Sequence, residues 1–374
     1  MTQQRTCLAL ALLLVSSTAS SAGLREQLKD PEDGWLDGSR FLLDKNLSFL
    51  PMPIIISEPA VDGGLGLAGV FFHKRPESEA RESDEFERPS MSAVAAAYTG
   101  NESWMVGGGH LGRWRQDTIN YTGAGGLASI NLKYFGTQDG SGVDFNADGG
   151  FILQEMLFRI RNSNWLIGPR WQFTKLDITF DLGLDIPGIE APELDFQDSG
   201  LGVVLEYESL DSTFTPSEGN QFKFDALYHD EAIGGDFDYG KYHTRYLHFL
   251  KMGRFVIGVR AQGDYIDGDA PFFALPFIQL RGIPALRYQG EAVVTGELEA
   301  RWDLHPRISA VSFLGAGRAA DSFDGLNDAS SRVAGGFGIR YLIARMLGMR
   351  LGIDVAWGPE DTAVYFTVGH NWRI

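Results

Sequence analysis

The clearest regularity along the chain is a strict alternation of nonpolar and polar positions. In Ala292, Val294, Gly296, Leu298, Ala300, Trp302 and Leu304 every second residue is nonpolar, while Glu297, Glu299, Arg301 and Asp303 lie between them. Leu351, Ile353, Val355 and Trp357 interleave with Arg350, Gly352, Asp354 and Ala356 in the same way, and Phe255 to Ala261 and Phe222 to Tyr228 repeat the pattern. A period of two is the signature of a strand with one apolar face. The segments run to about 10–14 residues, beyond the ~5–6 of soluble strands and matching the ~9–11 that cross a bilayer. The pattern therefore predicts an all-β fold, a transmembrane antiparallel β-barrel. Fifteen strands are legible, near 63–73, 90–99, 102–111, 125–136, 149–161, 165–180, 197–208, 218–229, 240–251, 253–266, 290–304, 307–319, 332–343, 346–358 and 361–374. Bacterial barrels carry an even number, so sixteen are expected, with Ile54 to Ala60 or a split within 102–136 as the missing one. With the last strand ending in the periplasm, parity turns 137–148, 181–196, 230–239, 267–289 and 320–331 into surface loops. These are long connections, whereas Asn162–Asn164, Lys251–Gly253 and His305-Pro306 on the other side are tight turns.

Composition agrees. The chain of 374 residues holds 46 glycines and 12% aromatics, and its mean hydropathy is only −0.11. No stretch after residue 25 approaches the ~18–20 apolar residues of a spanning helix. A net charge of −17 repels phosphate backbones, which argues against a nucleic-acid partner. Arg5, the apolar run Leu8 to Val15 and the small residues Ser20-Ser21-Ala22 predict a cleaved signal peptide over 1–22. Cys7 is the sole cysteine and would leave with it, so the exported chain has no thiol chemistry and no implied cofactor. Residues 23–52 are turn-rich and read as a short periplasmic tail or plug, with the barrel over 53–374. The expected location is the outer membrane of a Gram-negative bacterium, with its lipid as one partner.

The longest loop carries Gly268-Asp269-Ala270-Pro271-Phe272-Phe273 and then Leu280-Arg281-Gly282-Ile283-Pro284. With it stand Tyr207 to Gly219, including Asp211, Phe214 and Pro216, and Phe313-Leu314-Gly315-Ala316-Gly317. In these motifs the sequence resembles the bacterial surface antigen family, outer-membrane barrels of the BamA/TamA type. The resemblance implies that the sixth loop folds into the lumen and that Arg281, beside Gly282, meets inward carboxylates. Gly315 stands where the family usually has Asp, so the partners are sought in Glu297, Glu299 and Asp354, which share inward faces by the alternation. The end, Thr367 to Ile374 with Gly369 and Trp372, is similar to the signal read by barrel-assembly machinery, although Ile374 replaces the common aromatic. An outward Trp372 at the membrane interface is the plain alternative. The family is thought to open between its first and last strands. Gly369 would weaken that seam, or relieve crowding inside the lumen.

Asp144, Asn146, Asp148 and Glu155 match a calcium-loop spacing. No helix flanks them, and a hairpin turn with no metal is the preferred reading. No G-x-S-x-G elbow occurs, and no nucleophile with its base can be assembled from neighbouring strands, so no enzyme is expected. The functional expectation is a BamA/TamA-type barrel linked to protein insertion or translocation. It would lack periplasmic receptor domains, because only about thirty residues lie between Ala22 and the first candidate strand and a POTRA module of some ~75 residues does not fit. A periplasmic partner protein would supply them. The alternative is a passive or loop-plugged channel or scaffold, with an outer-membrane hydrolase a poorer third.

Overall fold

The structure, a computed structural model, describes residues 28–42, 49–73, 90–135, 142–181, 193–360 and 362–372. Sixteen antiparallel strands follow one another in chain order around one sheet. They are β1 (Phe49–Ile56), β2 (Gly64–His73), β3 (Ser90–Thr99), β4 (Trp104–Trp114), β5 (Ile119–Tyr134), β6 (Val143–Arg159), β7 (Trp165–Asp181) and β8 (Glu193–Glu208). Then come β9 (Gly219–His229), β10 (Tyr239–Met252), β11 (Phe255–Gly268), β12 (Ala292–Asp303), β13 (Ile308–Ala320), β14 (Arg332–Ala344), β15 (Met349–Trp357) and β16 (Thr362–Val368). Among the described residues no helix is long and apolar enough to cross a membrane, and the nearly closed sheet crosses with strands instead.

The alternation sorts as the sequence predicts. Val294, Leu298, Trp302, Ile353 and Trp357 are exposed on the outer wall, while Glu297, Arg301, Arg350 and Asp354 are buried inside. Aromatic rings gather where the strands reach the rim of short turns. Trp165 lies 5.1 Å from Tyr207, and Phe255 stacks on Trp302 at 5.6 Å. Amphipathic rings collect at this depth because one side meets lipid and the other water.

Two expectations need correction. The sixteenth strand is β1, which overlaps only the first part of Ile54 to Ala60, and 102–136 holds β4 and β5 and nothing more. Pro51 and Pro53 disguise β1, because proline normally argues against a strand. The ladder with β2 nevertheless runs unbroken from Phe49↔Phe71 to Ile56↔Gly64. Prolines at alternate positions turn both ring nitrogens to one edge, and a continuous ladder requires that edge to face away from β2. Second, Asp144, Asn146 and Asp148 lie within strand β6 rather than in a hairpin turn. Strands β5 and β8 have 16 residues and β6 and β7 have 17. All four exceed the ~9–11 a bilayer requires, so their ends project past it at the rim of long loops.

Candidate functional site

The sixth loop, residues 269–291, turns into the lumen and crosses it. At its start Phe272 packs 4.7 Å from Tyr134 and 5.4 Å from Phe145, on the wall of β5 and β6. Farther on, Ile278, Leu280, Ile283 and Tyr288 are buried with Val293, Ala319 and Ala334, on the wall of β12 to β14. Between the apolar contacts lies Arg281, buried, with its guanidinium centre 3.5 Å above the Phe313 ring.

Around Arg281 the strands deliver three carboxylates. Its Nε donates to Glu297 Oε1 at 3.1 Å, Nη1 to Asp354 Oδ2 at 2.8 Å and Nη2 to Glu299 Oε2 at 2.7 Å. Nη2 also bonds Glu297. Glu297 and Glu299 share the inward face of β12, and Asp354 comes from β15, so the arginine ties together walls that are not adjacent in the sheet. Two cations that the sequence reading missed complete the cluster. Arg340 pairs with Asp354, Nη2 to Oδ2 at 2.9 Å, and Arg260 pairs with Glu297 at 3.1 Å. Three guanidiniums thus face three carboxylates, which is how buried charge is tolerated. Their inward parity on β11 and β14 was the available signal.

The glycines near the anchor make room. Gly282 has φ +98°, and a Cβ there would stand about 3.0 Å from the Trp357 backbone, a contact with no flexible atom to yield. A side chain at Gly315 would run into Leu280 of the loop and the Glu297 stem. The departure from the family's Asp therefore makes space for the loop, and the carboxylates come from β12 and β15.

The chain end joins the same cluster. β16 stops at Val368, and Gly369, at φ +81°, redirects the tail inward. Trp372 is consequently not an outward belt residue. It is buried with Leu247, Phe249 and Val256, and its Nε1 donates to Glu297 Oε2 at 3.0 Å. Asn371 Nδ2 donates to Asp354 Oδ2 at 2.8 Å. A Cβ on Gly369 would meet the Phe214 backbone. That residue belongs to the β8–β9 turn, which also reaches β12 where Arg301 Nη2 donates to Ser217 Oγ at 2.8 Å. Ile374 and residues 1–22 lie outside the described residues.

At the seam, no strand ladder joins β1 to β16 among the described residues. The Phe366 N–H reaches Ser57 Oγ at 3.4 Å, and the sixth loop bonds both sides. Gly282 N–H donates to Tyr365 Oη of β16 at 2.9 Å, and Ala285 N–H donates to Glu58 Oε1, just past β1, at 3.0 Å.

The segment before β1 forms a second ionic contact, at the rim of short turns. Arg307, fully buried, pairs with Asp30, Asp33 and Asp37, and Arg345 bonds Asp30 at 2.9 Å. Trp35 lies 5.0 Å from His305, and Gly38 N–H donates to Ile343 O. Burial alone would raise the Asp37 pKa. Hydrogen bonds from Ser39 and Arg307 outweigh it and hold the value at about 2.

The calcium-spaced residues do not converge. Alternation puts Asp144, Asn146 and Asp148 on one face of β6 and Glu155 on the other. Asn146 bonds Asn131 at 2.8 Å, Asp144 pairs with Lys133 at 3.4 Å, and Glu155 bonds Arg170 inside the lumen, Nε to Oε2 at 2.9 Å.

No protein-family model and no curated protein sequence matches the chain. Solved structures do. BamA from Haemophilus ducreyi lacking POTRA domains 1–3 is similar with a TM-score of 0.58 at 11% identity, over 94% of this chain and 82% of that one. CdiB from Escherichia coli gives 0.60 at 11% identity, over 86% and 62%. CdiB from Acinetobacter baumannii gives 0.58 at 10%, over 86% and 59%. This chain therefore spans about three fifths of the CdiB chains it matches. The fold is similar to that of the BamA and CdiB barrels.

Proposed function

We propose that the protein works at its seam, as an outer-membrane barrel that inserts or moves polypeptide into or across that membrane. The observation that carries this reading is the pair of facing edges without a ladder. β1 presents Pro51 and Pro53 to the gap and so lacks two donors, and β16 is only seven residues long. A stable closure would run a full row of paired backbone groups there. An incoming strand would compete against a few side-chain and loop bonds. On this reading Arg281 and Gly282, held by Glu297, Glu299 and Asp354, fix the sixth loop as an anchor. Gly369 and Trp372 fasten the last strand to the same anchor. Barrel-assembly machinery inserts the chain, and a periplasmic partner protein brings the substrate. The resemblance to BamA and CdiB folds supports this reading.

A second reading, a loop-plugged channel or scaffold, is favoured by the passage of residues 269–291 through the lumen. One experiment separates the two. Ser57→Cys with Phe366→Cys should form a disulfide across the seam of the exported chain. Loss of outer-membrane protein assembly in cells, with heat-modifiable gel migration retained, supports working at the seam. Full activity with complete crosslinking sinks it, and a sharp rise in conductance on deleting 268–289 then identifies the plugged channel.

A further inference from the structure

The outer wall near the rim of short turns carries a polar cluster that the lumen and the seam do not use. His73 on β2, Ser92 on β3 and His110 on β4 lie on the same outward face as the exposed Phe71, Val94 and Val106, with His73 exposed and Ser92 and His110 half-buried. His73 Nε2 stands 2.8 Å from Ser92 Oγ, and His110 Nδ1 stands 2.9 Å from that same oxygen. The two imidazoles are 5.4 Å apart, centre to centre.

The hydroxyl has one proton, so at most one of the two imidazoles accepts it, and the other then donates an N–H to the oxygen. Ser92 thus has a bare ring nitrogen ready to take its proton and an N–H ready to stabilise the oxygen that remains. That is the local arrangement of an activated serine. Its depth fits a lipid substrate. Tyr121 lies 6.1 Å from His110 and stacks on Trp114 at 5.6 Å. Stacked aromatic rings of this kind mark the interface, the level at which the ester carbonyls of a bilayer lie. The spacing in sequence conceals the group, because only the strand register brings residues 73, 92 and 110 together.

We infer that Ser92 is the nucleophile of an ester-cleaving site facing the membrane, with a glycerophospholipid as substrate. The imidazole that accepts the proton takes it as Oγ bonds the ester carbonyl carbon. Collapse of the tetrahedral intermediate breaks the carbonyl carbon–glycerol oxygen bond, and the imidazolium returns the proton to the departing alkoxide. Water, deprotonated by the same imidazole, then attacks the acyl-serine. A fatty acid leaves, and Oγ regains its proton.

The test uses the folded full-length barrel in vesicles of dioleoyl phosphatidylethanolamine and phosphatidylglycerol. A fluorophosphonate should form an adduct on Ser92, located by peptide mass spectrometry, and oleate should be released. Ser92→Ala should abolish both, and His73→Ala or His110→Ala should slow release on the order of 100-fold, as removal of a general base does. Heat-modifiable migration confirms that each variant is folded. A folded wild-type barrel with no adduct at residue 92 and no oleate release overturns the inference. So does labelling that neither histidine substitution slows, which would mark Ser92 as an ordinary half-buried serine.

Discussion

Two walls of the same barrel are built on opposite plans. On the inward face of β3 to β5 stand Ala93, Ala95, Ala97, Gly107, Gly109, Ala124 and Gly126, partly open to the lumen. On the inward face of β11 to β15 stand Arg260, Glu297, Arg301, Arg340, Arg350 and Asp354, all buried. The charged wall is covered because the sixth loop, the C-terminal tail and the β8–β9 turn settle on it, and each brings a partner for a charge. Small side chains offer no such handle. Among the described residues, the ionic contacts of the loop, the tail and the turn are made on the charged wall, whereas the loop meets the wall of β5 and β6 through the Phe272 ring.

The strongest way to break this contrast is to remove the central cation. Arg281→Ala leaves Glu297, Glu299 and Asp354 short of a partner, at a cost of ~3–5 kcal/mol for a fully buried group. Protease cleavage within 268–289 should accelerate and the temperature of heat-modified migration should fall. Unchanged cleavage would mean that the apolar contacts of Ile278 and Leu280 hold the loop unaided.

Acid offers a milder probe, at the Arg307 contact. The Asp37 carboxyl is depressed in the docked state, from an ordinary 3.8 to about 2. Its contribution is therefore complete above pH ~4, declines as pH falls through that window, and is gone near 2. Hydrogen exchange of 28–42 should rise between pH 4 and 2, and Asp37→Asn should flatten that rise. The smallest effect is expected on the opposite wall. Ala95→Leu faces open lumen and should change stability by no more than ~0.5 kcal/mol, and a large loss would show that this wall is packed after all.

The alternation was legible because each barrel strand has one lipid face and one lumen face, and the same parity pointed to Glu297, Glu299 and Asp354. What escaped has a common cause in contacts between residues distant along the chain. β1 is legible only from Ile54 on, its start falling in the expected tail, because Pro51 and Pro53 look like breakers until an edge is assigned to them. Trp372 reads as part of an assembly signal or as a belt residue, because the turn at Gly369 has no local signature. The segment that holds Asp30, Asp33 and Asp37 reads only as a turn-rich tail or plug, since Arg307 lies some 270 residues away.

The prolines of β1 bear on how copies of the protein share a membrane. An open strand edge is a template for another edge, and barrels crowded side by side would be expected to polymerise through it. Here residues 51 and 53 offer carbonyl oxygens and no N–H. Two copies meeting through β1 would set acceptor rows against each other with donors missing from both, and no ladder could propagate. The same two prolines thus make β1 a poor template for the β1 edge of a second copy.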